Sequence, residues 1–445
     1  MVLFFGALAY WQTFRGDLAD DDRNPRVLSA YRDPARGRIL DRDGNVLAES
    51  LADGNRYYYD ASTAHLLGYL DPRYGSQGVE LAFNEVLSGA APAGWESAVR
   101  AEFDRESRTG NDVVLTIDPA VQAVAAAALG ARKGAIVVLD PRTGEVLAMV
   151  SVPTYDPGSL GTVGDALLND PESPLLNRAT QGLYPPGSTF KAVTATGILE
   201  KGVANPDTVV ECPGEIVIDG FPVSCRNTAQ GVGKYPFKQA FTFSVNAIFA
   251  QLGVQLGWTG LTDIARRYEF DSEPPFTLQT AASQIHGPET EATTTLLAST
   301  AFGQGELLAT PLQMAQVAAV IANGGVLERP HLGLREEDAG VAQGELEPRS
   351  SRRVITEELA RTMREFMVSV VQNDQANGVK LPGIQVGGKT GTAEAGDGTS
   401  HAWFIAFAPA DAPRVAIAVV VERGGQGGVV ASPIAGQVIQ AALAQ

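Results

Sequence analysis

Apolar positions follow strand-like spacing near both ends of the chain and helical spacing in the middle. Val2 to Trp11 is a nearly unbroken apolar run, followed by Arg15 and the acidic Asp20-Asp21-Asp22. From Arg36, the stretch RGRILDRDGNVLAES reads as a strand, an Asp-Gly turn and a second strand. Val79 to Leu87 has helical spacing. After Gly110, DVVLTID is strand-like and the Ala-rich Pro119 to Leu129 is helical, with proline in the first turn where a missing N–H costs little. Ala135 to Asp140 and Glu145 to Val152 predict a hairpin around Pro141-Arg142-Thr143-Gly144. Its turn chemistry matches that of the first hairpin without making the two a repeat.

From about Asn177 to Asn323 the apolar spacing is near 3.6, punctuated by Gly and Pro, and predicts a helix-rich centre. Strands return at Ile384 to Glu394, His401 to Ala408 and Arg414 to Val421, and a helix closes the chain at Pro433 to Leu443. Glu336 to Arg353 is polar, charged and Gly-containing, and reads as a mobile loop. Strands at both ends with helices between predict an α+β fold whose sheet joins sequence-distant segments.

Composition narrows the function classes. With 445 residues, 44% hydrophobic and 19% charged, the chain has room for two or three folded domains. A formal net charge of −17 repels phosphate backbones, so nucleic acid is not an expected partner. The four histidines, His65, His286, His331 and His401, lack metal-ligand spacing, and no metal or cofactor is expected. Cys212 and Cys225 read either as unrelated buried thiols or as a local disulfide formed outside the cytoplasm; the reading favours the disulfide. The amino-terminal run is shorter than the roughly 20 apolar residues a bilayer span needs, and it lacks the basic flank of a signal peptide. With Tyr10 and Trp11 suited to an aromatic belt, residues 1–14 read as the outer part of a membrane anchor that starts upstream of Met1. A short buried helix is the alternative.

Three short signals carry candidate chemistry: Ser188-Thr189-Phe190-Lys191, Ser244-Val245-Asn246 and Lys389-Thr390-Gly391. The first follows Tyr184-Pro185-Pro186-Gly187, a forced turn, and opens an apolar helical run. Residues three apart share a helix face, so the Lys191 amine can reach the Ser188 hydroxyl. Burial beside other cations would lower the lysine pKa and let it take the serine proton. The plainer reading is a serine N-cap with a solvated lysine. In the second signal, polar Ser244 and Asn246 sit in an apolar stretch and need partners; a proton relay and a hold on a peptide carbonyl fit, as does capping of a helix from Ala247 to Leu252. In the third, Lys389, Thr390 and Thr392 on a Gly-rich strand offer charge and hydroxyls to a carboxylate. Gly383 to Thr390 also fits a phosphate-binding loop, but such a loop opens a helix, and here a turn and a strand follow.

Taken together with Arg36 to Arg42, Leu176-Asn177-Arg178-Ala179, Gly303-Gln304-Gly305, Thr310-Pro311-Leu312 and His401-Ala402-Trp403-Phe404, these signals resemble the class B penicillin-binding proteins over nearly the whole chain. The resemblance implies a partial anchor at 1–14, a non-catalytic amino-terminal pedestal domain at 15–132, and at 133–445 a penicillin-binding/β-lactamase-like transpeptidase domain with an antiparallel sheet flanked by helices. It implies a D,D-transpeptidase that forms an acyl-enzyme with D-Ala-D-Ala stem peptides and is trapped by β-lactams. Ser188 would be the nucleophile, Lys191 its base, Ser244 a relay and Asn246 a donor-peptide contact. Lys389, Thr390, Gly391 and Thr392 would bind the terminal carboxylate, with the N–H groups of Ser188 and Thr392 as oxyanion hole. The catalytic domain would lie outside the cytoplasm, working with a membrane glycosyltransferase and with division or elongation proteins. The stretch before Lys133 is too short for a glycosyltransferase domain. A D,D-carboxypeptidase shares the same acyl-enzyme and stays open. A class A β-lactamase would need a deacylating Glu after Ser-x-Asn, whereas Glu172 to Asn177 precedes Ser188. A silent β-lactam sensor would be expected to carry an attached signalling domain, which is not seen in this sequence, and a dead scaffold to have lost a motif, whereas all three are intact.

Overall fold

The computed structural model describes residues 35–89, 109–225, 232–287, 290–373 and 375–444. The expected anchor at 1–14 lies outside the described residues, among which no helix is long and apolar enough to cross a membrane. The chain folds as two compact units that do not follow chain order. The first holds the described residues up to Leu115 with Thr154–Leu175 and Gly333–Glu347; the second holds Thr116–Pro153, Leu176–Leu332 and the residues from Pro348 onward.

In the first unit, RGRILDRDGNVLAES forms the expected pair of strands, Ile39–Leu40 antiparallel to Val46–Ser50. The Asp41 side chain makes the turn by accepting from the N–H groups of Asp43 and Asn45, both at 2.9 Å, and Gly44 takes the left-handed conformation. These strands join a 6-stranded sheet whose far edge is Gly333–Asp338 and Val341–Glu345. The segment expected to be a mobile loop is therefore largely a hairpin, turning at Ala339 and Gly340, both with positive φ. The sequence hides it because Val341–Glu345 is a wholly exposed edge strand. Backbone pairing holds such a strand, and its side chains need no apolar alternation.

Glu80, fully buried, ties this unit together. Its carboxylate accepts from Arg36 Nε at 2.9 Å and from Arg56 Nε at 2.6 Å, while its carbonyl accepts from Arg36 Nη2 at 2.9 Å. Burial alone would raise the Glu80 pKa; the two guanidiniums outweigh it and hold the carboxyl below its usual range.

The second unit is built on a five-stranded antiparallel sheet. Numbered within this unit, its strands are β1 (Gly134–Leu139), β2 (Val146–Val152), β3 (Gly387–Glu394), β4 (Ser400–Ala408) and β5 (Val415–Val421), in the order β3-β4-β5-β1-β2. Strands β1 and β5 are buried at every position, which explains their continuous apolar runs. One face packs on α1 (Pro119–Leu129) and α6 (Ala431–Leu443), with Val121, Leu129, Ile434 and Val438 meeting Ile136, Phe404 and Ile417. Asp118 caps α1 by accepting from the N–H groups of Ala120 and Val121 at 3.0 Å. The other face meets α4 (Pro311–Ala322), buried along its whole length. The helix α2 (Lys191–Glu200), the helix α3 (Asn246–Arg267), kinked at Gly257, and the shorter helices Phe237–Thr242 and Thr294–Thr300 belong to the expected helical centre. That centre also holds short strands at Val209–Cys212, Glu215–Ile218, Phe221–Ser224 and Gly233–Pro236, and α5 (Glu357–Gln372) lies against β3. Helix α5 was not anticipated, although Thr356 caps it by accepting from Leu359 N–H at 3.2 Å and Glu357 and Glu358 fill its first turn.

Removing the Glu80 carboxylate leaves two guanidiniums buried without their counter-charge. Glu80→Ala is expected to destabilise the first unit by about 3–5 kcal/mol. Hydrogen exchange over residues 36–58 measures this directly: protection should collapse there, while β1 and β5 of the second unit keep theirs.

Candidate active site

Two prolines and a left-handed Gly187, at φ 54°, turn the chain into a 3-10 turn, Gly187–Phe190, that runs on into α2. Pro186 occupies the capping position and makes no side-chain cap bond, so Ser188 is not an N-cap and its hydroxyl is free for another use. Glycines let three segments converge here. The Gly187 N–H donates to the Gly303 carbonyl at 2.9 Å, and a Cβ on Gly303 would stand 1.7 Å from the Gly187 oxygen. A Cβ on Gly391 would stand 2.9 Å from the Pro186 oxygen, and one on Gly187 would stand 2.9 Å from the Thr392 oxygen. The edge strand β3 thus lies directly against the helix head.

Lys191, one turn along, is fully buried, and its Nζ lies 3.1 Å from Ser188 Oγ. Ser244 follows the short helix Phe237–Thr242 in a left-handed conformation, at φ 59°, and both its carbonyl at 2.8 Å and its Oγ at 3.0 Å face the same amine. Asn246 opens α3 and presents Oδ1 to it at 2.5 Å. Neither Ser244 nor Asn246 caps the helix; Val245 holds that position without a side-chain bond. From β3, fully buried Lys389 places Nζ 3.0 Å from Ser244 Oγ and 3.1 Å from the Thr390 carbonyl. Ser188, Lys191, Ser244, Asn246 and Lys389 therefore form one connected cluster.

The electrostatics follow from what surrounds the two amines. The Phe249 ring centroid is 5.2 Å from Lys191 Nζ and the Phe241 centroid 5.7 Å from Lys389 Nζ. Among the described residues neither lysine pairs with a carboxylate. Cation–π attraction favours the charged form by roughly 0.5–2 kcal/mol, but full burial of a lysine shifts its pKa by several units, worth more than that. Burial therefore wins: it pushes Lys191 well below the usual amine range, helped by repulsion from Lys389, and brings Lys389 to about 7. A neutral Lys191 has two N–H groups and one lone pair. The Ser244 carbonyl and Asn246 Oδ1 can only accept, so they take both N–H groups and leave the lone pair for a hydroxyl proton.

Thr390, Gly391 and Thr392 continue β3, paired with Phe404, Trp403 and Ala402 of β4, and the Thr392 side chain is exposed. Because Gly387–Glu394 is a paired strand that leads into a turn and β4, the phosphate-loop reading of Gly383 to Thr390 fails: no helix N-terminus follows it. Cys212 and Cys225 form a disulfide in the segment between α2 and Phe237–Thr242, closing over a hairpin of Glu215–Ile218 and Phe221–Ser224. That hairpin turns at Asp219-Gly220, a signal the sequence reading passed over. The sequence reading also missed Phe241 and Phe249 as walls around the amines, although both flank Ser244 in the stretch FTFSVNAIF.

A family model described as the penicillin binding protein transpeptidase domain matches residues 134–440. The chain belongs to the penicillin-binding protein transpeptidase family. A second model, described as the penicillin binding protein A dimerisation domain, matches residues 36–113. The peptidoglycan D,D-transpeptidase PbpA of Mycolicibacterium smegmatis is 35% identical over 477 residues, covering 100% of this chain and 96% of that protein. PbpA of Mycobacterium tuberculosis is 36% identical, covering 97% and 94%. Among solved structures, penicillin-binding protein A from M. tuberculosis as an imipenem acyl-enzyme complex superposes with a TM-score of 0.84 at 34% identity, covering 94% of this chain and 100% of that one. Its penicillin G acyl-enzyme complex gives 0.82 at 35% identity, covering 92% and 99%. The α+β class expected from the sequence is thereby established as the transpeptidase fold of penicillin-binding proteins, carrying an amino-terminal dimerisation domain.

Proposed function

We propose that this penicillin-binding protein is a peptidoglycan D,D-transpeptidase that works through a Ser188 acyl-enzyme and is inhibited covalently by β-lactams. One observation carries the reading: the amine of Lys191, fully buried with its pKa pushed down by that burial, stands 3.1 Å from Ser188 Oγ. In the proposed reaction, Ser188 Oγ attacks the carbonyl joining the two terminal D-alanines of a stem peptide and Lys191 takes the hydroxyl proton. The N–H groups of Ser188 and Thr392 steady the tetrahedral oxyanion at the head of α2, where the helix dipole adds partial positive charge. Ser244, within 3.0 Å of both lysine amines, relays the proton to the departing D-alanine nitrogen as the C–N bond breaks. Asn246 contacts the donor peptide, while Lys389, Thr390, Gly391 and Thr392 hold its terminal carboxylate. An acceptor amine then attacks the ester and Ser188 recovers its proton.

Water in place of that amine would make the enzyme a D,D-carboxypeptidase. Product masses from a stem-peptide donor with and without an added amine acceptor separate the two. The reading extends to a catalytic unit outside the cytoplasm, tethered by residues 1–14 and supported by the Cys212–Cys225 disulfide, since such bonds persist in oxidising compartments. It extends also to a membrane glycosyltransferase partner that supplies glycan strands and to division or elongation proteins.

Ser188→Ala is expected to abolish covalent labelling by a fluorescent penicillin while the fold stays intact; stoichiometric labelling of that variant would point to another nucleophile. The pH dependence of acylation separates the two lysines. As pH falls through the depressed Lys191 pKa the base becomes protonated and the rate drops. As pH rises past about 7 Lys389 loses the charge that attracts a carboxylate, and affinity weakens. A bell-shaped profile for the second-order acylation constant is expected, and a rate that only climbs toward pH 10 contradicts the assignment.

A further inference from the structure

The carboxylate of Glu422, just past the end of β5, has no part in the chemistry above, yet it bonds directly to the segment that delivers Ser188. Its Oε1 accepts from Arg178 Nε at 2.8 Å and from the Tyr184 hydroxyl at 2.8 Å, and its Oε2 faces Lys133 Nζ at 3.6 Å. Arg178 is almost wholly buried, with a side chain 2% exposed. Burial would raise the Glu422 pKa, but Arg178, Tyr184 and Lys133 together hold it below the usual range, so it is anionic at neutral pH. The Tyr184 ring is fixed edge-on against His401 and Trp403, with centroids 5.4 and 6.2 Å away.

Tyr184 opens the turn whose every residue is anchored. The Tyr184 and Ala309 backbones exchange two hydrogen bonds, at 3.1 and 2.8 Å. Trp403 Nε1 donates to the Pro185 carbonyl at 3.0 Å, Thr189 Oγ1 to the Pro186 carbonyl at 2.6 Å, and the Gly187 N–H to Gly303 at 2.9 Å. The Tyr184 hydroxyl ties the start of this turn to the end of β5, where Val421 pairs with Ala402 and Ala402 with Thr392.

We infer that Glu422 is a positioning residue for Ser188, acting through the Tyr184 hydroxyl to hold the nucleophile's turn in register with Lys191 and β3. The inference rests on Ser188 being the nucleophile. A purely structural ion pair would need only Arg178 and Glu422; the sharing of one oxygen with Tyr184 is what links that pair to the reacting serine. Small displacements of a reacting group are costly, since rates depend steeply on attack geometry.

Tyr184→Phe removes the hydroxyl and keeps the ring, its stacking and the Arg178–Glu422 pair. Stopped-flow labelling with a fluorescent penicillin resolves noncovalent affinity from the acylation rate constant. The variant is expected to acylate about ten-fold more slowly with unchanged noncovalent affinity and a nearly unchanged unfolding midpoint. Glu422→Ala should show a larger loss, and Glu422→Gln, which keeps one acceptor oxygen, should recover most of the rate. Acylation of Tyr184→Phe at the wild-type rate constant, with wild-type protein labelled at Ser188, overturns the positioning role alone. Failure of wild-type protein to label at Ser188 overturns both this inference and the transpeptidase reading.

Discussion

Two fully buried lysines share the Ser244 hydroxyl with no carboxylate beside them among the described residues, and the rest of the catalytic unit exists to make that arrangement tolerable. A buried ammonium without a counter-charge is costly enough that the group gives up its proton instead. Lys191 and Lys389 each lie over a phenylalanine ring, and Lys389 also opposes the charge on Lys191. The outcome is an amine with a depressed pKa, held one helical turn from Ser188 with its lone pair open to a proton, and, on the edge strand, a second amine whose charge is balanced near neutral pH. A single carboxylate introduced beside Lys191 would restore its ordinary protonation and remove the base.

The framework explains how sequence-distant groups reach this one point. The central sheet has apolar positions on both faces, so helices must cover both, and the edge strand β3 is left to border the helix head. Glycines at 187, 303 and 391 stand where any side chain would strike a neighbouring backbone. The left-handed Ser244 turns its carbonyl and hydroxyl to the same amine, a conformation of the kind that strain confines to sites where the surroundings over-determine it.

Much of this was legible in the amino-acid order. The buried strands announce themselves as continuous apolar runs, and the Pro-Pro-Gly turn places Ser188 at a helix head with Lys191 on its face. The features that were not legible share a physical cause. The half-buried strand Gly333–Asp338 and the exposed strand Val341–Glu345 are held by backbone pairing, so their side chains look like a loop. The return of Thr154–Leu175 and Gly333–Glu347 to the first unit is a matter of long-range pairing that local periodicity does not encode. Glu422 follows an apolar strand in the sequence, and only the fold brings it to Arg178 and Tyr184. Phe241 and Phe249 flank Ser244 in the sequence, but their effect on an amine appears only once the fold sets Lys191 and Lys389 beside them.

The protonation state of Lys191 can be observed directly. Protein labelled with carbon-13 and nitrogen-15 at lysine, with the Lys191 resonance assigned by its loss in Lys191→Arg, can be titrated by NMR. The account predicts a neutral amine at pH 7.5, with a midpoint well below the ordinary lysine value of about 10.4. A Lys191 resonance that stays that of an ammonium ion up to pH 10 would contradict it.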